Sequence, residues 1–168
     1  MAEAAFPPVA ELLPHSGRAL LLDRVLAHDA ATTVCAVDPA ASVLYFNADR
    51  RVPAYVGLEY MAQTIAAHGG LLHRSQAGGS AAGPRPGFFL GSRRIVFGVD
   101  CFEGGQLLEV AATRLRGTRG ALRGTRGALA FECTIRDAAG GRAMVSGVLT
   151  VYLLESFEAL VEGFPEND

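Results

Sequence analysis

The sequence contains no lysine and no tryptophan, and it has only three cysteines in 168 residues. All 15 basic residues are therefore arginines, and 17 acidic residues bring the formal net charge to −2. A chain with so little net charge is not suited to holding nucleic acid by bulk electrostatics, so we expect no nucleic-acid partner. Cys35, Cys101 and Cys133 show neither a CxxC pair nor metal-ligand spacing. We interpret them as reduced thiols of a cytoplasmic protein and expect no bound metal and no cofactor.

Long apolar runs are also missing. The longest uncharged apolar stretch late in the chain, 145–154, is about half of the roughly twenty residues that a membrane-spanning helix needs. The N-terminus has neither a basic region nor an apolar run, so we predict no signal peptide and no membrane partner. Half of the residues are nevertheless hydrophobic. This composition and length fit one domain over 1–168, with its core at about 8–155.

Apolar and β-branched runs predict a sheet that is interrupted by a single helix. The segment 8–13 fits one helical turn, and strands are predicted at 18–25, 32–37, 87–97, 106–115, 128–136 and 143–154. Glycine pairs at 104–105 and 140–141 indicate two of the turns, and 47–51 is a polar loop. The stretch 75–86 is rich in glycine and serine and predicts a flexible loop.

One seven-residue segment occurs twice in tandem. RGTRGAL at 116–122 is repeated without change at 123–129. Because side chains alternate along a strand, seven extra residues inside a paired strand would turn every later side chain to the wrong face. We therefore expect the extra copy to lengthen a hairpin at 116–129, either by looping out at the tip or by forming a bulge. An arginine-rich hook for an acidic partner is the alternative.

The clearest helix begins at Pro53, which suits a first helical turn, and runs to about His73. Its apolar residues cover it nearly all round, and they are Val56, Leu58, Tyr60, Met61, Ile65 and Leu72. A helix of this kind is buried on more than one side. One sheet must wrap it, and a second subunit is expected to cover the rest.

Glu59 lies within this apolar helix, and Gln63 follows one turn later on the same face. A carboxylate in such surroundings is costly unless it is paired, protonated or functional. Two interpretations stay open: an ion pair with Arg18, Arg93 or Arg94, or a group placed for proton transfer.

The four histidines are weaker candidates. His68 is out of phase with Glu59, and His73 lies too far along the helix to work with it in the same subunit. His28 sits in a polar turn and is expected to be solvated. His15 lies in a Pro/Gly turn, where a turn-stabilising hydrogen bond is the simpler interpretation. The sequence has no GxSxG, Walker, HExxH or post-strand GxGxxG motif, which argues against the chemistries that those motifs serve.

Two stretches resemble the β-hydroxyacyl-acyl-carrier-protein dehydratases. LLPH at 12–15, followed by LLLDRV at 20–25, is similar to the opening of those proteins, and PAYVGLEYMAQ at 53–63 is similar to their central helix. The resemblance covers about 8–73 well and continues loosely to about 154. The variant at 56–66 is most similar to the branch associated with aryl polyene pigments.

The resemblance implies an α+β hotdog fold, in which a curved antiparallel sheet wraps around one long central helix. It also implies a homodimer, a heterodimer with another hotdog subunit, or a higher oligomer, with the active sites at the subunit interface. The substrate would be a (3R)-hydroxyacyl thioester on the phosphopantetheine arm of an acyl carrier protein, and the reaction would remove water. Arg18, Arg93, Arg94 and the repeat arginines are candidates for docking that acidic carrier.

By the same resemblance, Glu59 is the acidic catalytic residue and the backbone amide of Ala54 binds the thioester carbonyl. Further substrate-binding residues are expected near it: Gly57, Gln63, Phe89 and Gly91. The family's catalytic histidine lies fourteen residues before the acid, where this chain has Tyr45.

This replacement leaves several alternatives. Glu59 makes both proton transfers with help from Tyr45 or His15, a catalytic hotdog partner is required, or the chain binds acyl groups without chemistry. An acyl thioesterase on the same fold, with Glu59 activating a water, is a further alternative.

Overall fold

The computed structural model describes residues 6–76, 78, 87–115 and 128–153, and within them it contains eight strands and one α-helix. The strands are β1 (Arg24–His28), β2 (Thr32–Val37), β3 (Val52–Pro53), β4 (Gly87–Phe97), β5 (Cys101–Phe102), β6 (Leu108–Arg114), β7 (Ala128–Asp137) and β8 (Val145–Leu153). The helix is α1 (Gly57–Gln76), and a 3-10 turn at Ala54–Val56 precedes it.

Six strands form one antiparallel sheet in the order β1-β2-β6-β7-β8-β4. Alternation along β6 places Leu108, Val110 and Ala112 in the core, because successive side chains of a strand point to opposite faces. Helix α1 packs across this face, against β1, β2, β6, β7 and β8. The arrangement confirms the expected hotdog fold.

The start of α1 lies very close to the sheet. A Cβ atom on Gly57 would lie 2.7 Å from Ile135 Cδ1 and 3.2 Å from Phe102 Cζ. Only glycine fits this approach without displacing those side chains. Gly57 therefore allows the helix to pack on β7, which is a different role from the substrate contact that was expected of it.

The predicted strand at 18–25 is wrong over most of its length. A 3-10 turn occupies Gly17–Ala19, and β1 begins only at Arg24. Of the residues between, Leu21 and Leu22 are buried, whereas Asp23 is exposed. The backbone N–H of Leu21, however, donates to Gln63 Oε1 on the helix at 2.9 Å, so a long-range contact replaces strand pairing.

The helix extends three residues beyond its predicted end, to Gln76. Gly78 has a φ of +67°, the left-handed conformation that commonly follows a helix. Most of the loop predicted at 75–86 lies outside the described residues.

The duplicated segment also lies outside the described residues, apart from its last two positions in β7. Its flanks pair without a register shift, from Leu108↔Asp137 to Arg114↔Phe131. The β6–β7 ladder therefore contains no bulge in the part that the structure describes.

The two edges of the sheet differ. Strand β1 has five residues, whereas β4 has eleven and has a neighbour on one side only among the described residues. Strand β4 carries a row of exposed apolar side chains: Phe88, Phe89, Leu90, Val96 and Phe97. No helix in the described part of the chain is long and apolar enough to span a membrane.

Candidate active site

Glu59 lies in the first turn of α1, at a point where two cavities meet. Both cavities are lined by Glu59, Ala62 and Phe89. The smaller one, about 140 Å³, has His15 in its wall, and the larger one, about 330 Å³, has Tyr45. The remaining lining residues are Pro14, Ile65, Ala66, Gly87, Phe88 and Val151 for the smaller cavity, and Tyr55, Val56 and Leu58 for the larger.

His15 faces the carboxylate directly. Its Nε2 lies 3.5 Å from Glu59 Oε1, and the two side chains are 33% and 40% exposed. Its other nitrogen, Nδ1, is buried and has no hydrogen-bond partner in the described part of the chain. The single polar neighbour of the ring is thus an acceptor beside Nε2, and we place a ring proton on Nε2. The simpler interpretation of His15, a hydrogen bond within its own turn, is not what the structure has.

Gln63 is fully buried and joins the His15 segment to the helix. Its Nε2 donates to the Ala19 carbonyl at 2.7 Å and to Glu59 Oε1 at 2.9 Å, while its Oε1 accepts from the Leu21 N–H at 2.9 Å. Both N–H groups of the amide are used, so no donor remains for a substrate. The contacts make Gln63 a residue that holds Glu59 in place, which corrects the expectation that it binds substrate.

The two oxygens of Glu59 are consequently in different surroundings. Oε1 faces Gln63 and His15, whereas no described residue hydrogen-bonds to Oε2. No ion pair with Arg18, Arg93 or Arg94 occurs among the described residues, so the structural alternative expected for this carboxylate is absent. Glu59 accepts from the Gln63 amide through Oε1, and Oε2 faces the cavities without a hydrogen-bond partner among the described residues.

Tyr45 ends a 3-10 turn at Val43–Tyr45 on the other side of Glu59. Its side chain is 37% exposed and lines the larger cavity. No hydrogen bond joins Tyr45 to Glu59 within the residues that the structure describes. The structure therefore brings Tyr45 to the site as part of its wall.

Two other expected contacts are not found. The backbone N–H of Ala54 donates to the Asp100 carbonyl at 2.8 Å, so it is not free to bind a thioester carbonyl. Gly91 lies at a register shift in β4 and lines neither cavity. Phe89, in contrast, lines both cavities.

Sequence reasoning missed several lining residues. Ala62 and Ala66 follow Glu59 by three and seven positions, and this helical spacing could have placed them beside the carboxylate. Tyr55 and Val151 gave no such signal. Val151 reaches the smaller cavity because β8 pairs with β4, where it lies opposite Phe89.

The buried titratable groups away from the site do not offer alternative chemistry. Burial raises the pKa values of Cys35 and Cys133 to about 12, so both remain thiols. Burial also lowers the pKa of His68 to about 4, with a smaller effect of the nearby His28, so its imidazole is neutral. His28 was expected to be solvated but is half-buried, and its Nδ1 lies 2.7 Å from Thr33 Oγ1. Within the described ranges no group of three or more potential metal ligands occurs.

A curved sheet around one helix, with a carboxylate and a histidine facing each other beside a cavity, defines a hotdog protein with a candidate active site at the start of its helix. The chain matches the family model of the ApeP-like proteins, described as ApeP dehydratase, over residues 7–162. It belongs to the ApeP-like dehydratase family. No curated protein matches the chain.

Solved structures agree with this fold. The dehydratase heterocomplex ApeI:P from Xenorhabdus doucetiae superposes with a TM-score of 0.76 at 25% identity, covering 94% of this chain and 97% of that one. A hypothetical thioesterase with coenzyme A from Streptococcus pneumoniae gives 0.54 at 11% identity, covering 78% and 84%. The E. coli PaaI protein gives 0.52 at 8% identity, covering 76% and 80%. The last two likenesses concern the fold alone.

Proposed function

We propose that this chain is a dehydratase subunit that removes water from a 3-hydroxyacyl thioester carried by an acyl carrier protein, in fatty-acid or aryl polyene synthesis. One observation carries the proposal. Glu59 stands where two cavities meet, with Oε1 held by Gln63 and facing His15, and with Oε2 free. A fixed carboxylate with one open oxygen is suited to moving a proton at a bound substrate. Membership of the ApeP-like dehydratase family supports the same reaction.

The elimination balances with a single carboxyl group. Oε2 of Glu59 takes the proton from C2 of the substrate, and the electron pair of that bond forms the C2–C3 double bond. The C3–O bond breaks, its electrons go to the leaving oxygen, and the carboxyl returns its proton to that oxygen. The products are an enoyl thioester and water, and Glu59 is again a carboxylate.

His15 assists this step in our proposal without exchanging a proton. A base at Nε2 would need the ring proton on Nδ1, where no described residue accepts it. Leaving a buried N–H unpaired costs about 1–3 kcal/mol. The Nε2–H tautomer instead turns an N–H rather than a lone pair toward Oε1, while Tyr45 forms the opposite wall of the site.

The partners follow from the exposed surfaces. We propose that β4, whose outer edge has no partner among the described residues and whose phenylalanines are exposed, pairs with a second hotdog subunit. The likeness to a structure described as a dehydratase heterocomplex favours a non-identical partner. Arg18, Arg93 and Arg94 are exposed and unpaired among the described residues, and they are available to an acidic carrier protein.

An acyl thioesterase on this fold would need a water held beside Glu59. Both donor groups of Gln63 are already used, so no observation favours that activity. Thioesterase activity is one of the results that the following test can detect.

The test is mass spectrometry of a 3-hydroxyacyl carrier-protein thioester after incubation with the purified chain, alone and together with its hotdog partner. Loss of one water from the acyl group supports the proposal. Release of the free acid would instead identify a thioesterase, and an unchanged substrate in both preparations contradicts both activities.

The matched variants are Glu59→Gln and Glu132→Gln. Glu59→Gln removes the proton-transferring group and is expected to lower turnover by about 10³-fold. Glu132 is an exposed carboxylate on β7, and its replacement should leave turnover unchanged. Full activity of Glu59→Gln would show that the chemistry lies elsewhere.

A further inference from the structure

The turn that carries Tyr45 is anchored to the central helix by one buried hydrogen bond. Ser42 caps the N-terminus of this turn and is fully buried, and its Oγ lies 2.8 Å from the hydroxyl oxygen of Tyr60. Tyr60 is fully buried as well and directly follows Glu59 on α1. The anchor of the turn and the carboxylate are therefore neighbours on the same helix.

The rest of the turn has little support of its own. Val43, Leu44 and Tyr45 are all exposed, and the Tyr45 N–H bonds back to the Ser42 carbonyl at 2.9 Å. Among the described residues, Ser42–Tyr60 is the only side-chain hydrogen bond between this turn and α1. The position of Tyr45 in the wall of the larger cavity thus depends on where Ser42 is held.

We propose that Tyr60 is a positioning residue, which holds the Tyr45 turn through Ser42 and thereby sets how tightly the larger cavity grips the substrate. The inference rests on the proposed function, because it assigns the larger cavity to the thioester substrate. It gives Tyr60 no part in proton transfer.

The physical reason lies in the cost of an unpaired buried hydroxyl. Burial raises the pKa of Tyr60 to about 12, so two neutral hydroxyl groups share the hydrogen bond. Tyr60→Phe would leave Ser42 Oγ buried without a partner, which is unfavourable by about 1–3 kcal/mol. An outward movement of the turn lets Ser42 reach water, and it moves Tyr45 away from the cavity.

Steady-state kinetics of four proteins test this: wild type, Tyr60→Phe, Tyr45→Ala and the double variant. A net hydrogen-bond contribution of about 0.5–1.5 kcal/mol predicts that Tyr60→Phe raises KM roughly three- to tenfold, with kcat nearly unchanged. Because Tyr60 acts through Tyr45, adding Tyr60→Phe to Tyr45→Ala should raise KM no further. Additive effects, or a fall in kcat at constant KM, would overturn the proposal.

Two further variants serve as second route and control. Ser42→Ala breaks the same hydrogen bond from the other side and should reproduce the KM change, which keeps the test open if Tyr60→Phe folds poorly. Tyr152→Phe alters a tyrosine that lines neither cavity and should leave KM unchanged. A change in KM as large for Tyr152→Phe as for Tyr60→Phe would contradict the proposal.

The failure of this inference can be told apart from failure of the dehydratase proposal. Equilibrium binding of the 3-hydroxyacyl thioester to the Glu59→Gln protein, with and without Tyr60→Phe, needs no turnover. A three- to tenfold weaker Kd supports the role of Tyr60 even if wild type yields no enoyl product. An unchanged Kd would contradict the positioning role of Tyr60 even if the dehydratase activity is confirmed.

Discussion

The two flanks of Glu59 are fastened to the central helix in different ways. The His15 flank, residues 14–21, is held by two hydrogen bonds with the buried amide of Gln63, which also donates to Glu59. The Tyr45 flank, residues 42–46, is held by one bond between two hydroxyl groups. Proton transfer tolerates little positional error, whereas binding an acyl chain needs a wall that adapts. We therefore propose that the His15 flank positions Glu59 for proton transfer, whereas the Tyr45 flank adapts the larger cavity to the acyl chain.

Replacing Gln63 should have the largest effect, because it releases the more strongly held flank. Gln63→Leu leaves the Leu21 N–H buried and unpaired and removes the bonds to the Ala19 carbonyl and to Glu59, which predicts a loss of roughly 3–5 kcal/mol in unfolding free energy. Urea unfolding of the wild type and the variant measures this loss of free energy. Gln76→Leu, at the exposed end of the helix, is the control. Equal losses in the two variants would show that Gln63 holds nothing together.

The second prediction concerns how the unfolding free energy depends on pH. It tests His68, which faces away from both flanks, so the expected change does not involve the candidate site. Its pKa is lowered to about 4 in the folded chain, against 6.5 for the free group. The unfolded chain therefore takes up this proton first. Stability is full above about pH 6.5 and falls by roughly 3 kcal/mol as the pH drops to about 4.

Urea unfolding across that range measures this loss. His68→Leu should flatten the dependence, while His73→Leu should preserve it. A slope that is identical in wild type and His68→Leu would refute the assignment.

A third comparison asks what His15 contributes. If Nε2–H only holds Oε1, His15→Gln supplies a similar N–H and should keep kcat within about threefold of wild type. His15→Ala removes the imidazole N–H that faces the carboxylate and should lower kcat by about 10- to 100-fold. Equally poor rates for both variants would mean that His15 itself exchanges the proton.

The smallest loss of unfolding free energy is expected at the Tyr45 flank, which is held by one hydrogen bond. Tyr60→Phe removes one hydrogen bond, and the turn can relax toward water, so the unfolding free energy should fall by about 1 kcal/mol. Calorimetry of Tyr60→Phe and of Gln63→Leu shows which of the two variants loses more unfolding free energy. A larger loss for Tyr60→Phe would reverse the comparison.

Local pattern was enough to predict the elements that set the frame of the site. Strands β2 and β4 were predicted with their observed limits, and the apolar helix placed Glu59 and Gln63 on one face. The resemblance to dehydratases supplied the hotdog fold, which the structure confirms.

The remaining errors come from contacts between distant parts of the chain. The strand predicted at 18–25 fails because Leu21 bonds to Gln63, 42 residues later. The Ala54 amide is taken by Asp100, and Gly57 faces Ile135. Periodicity carries no information on such partners, so roles that depend on a free amide or an open face could not be read from it.

The long bulged strand at the margin of the sheet has a consequence for how the cell handles this protein. Along these eleven residues the backbone groups that do not pair with β8 have no partner among the described residues, and beside the phenylalanines they can pair with any chain that offers a matching strand. Copies of this chain made in excess of the proposed hotdog partner would aggregate through this edge. The rate at which that partner is synthesised would then set how much of the protein stays unaggregated.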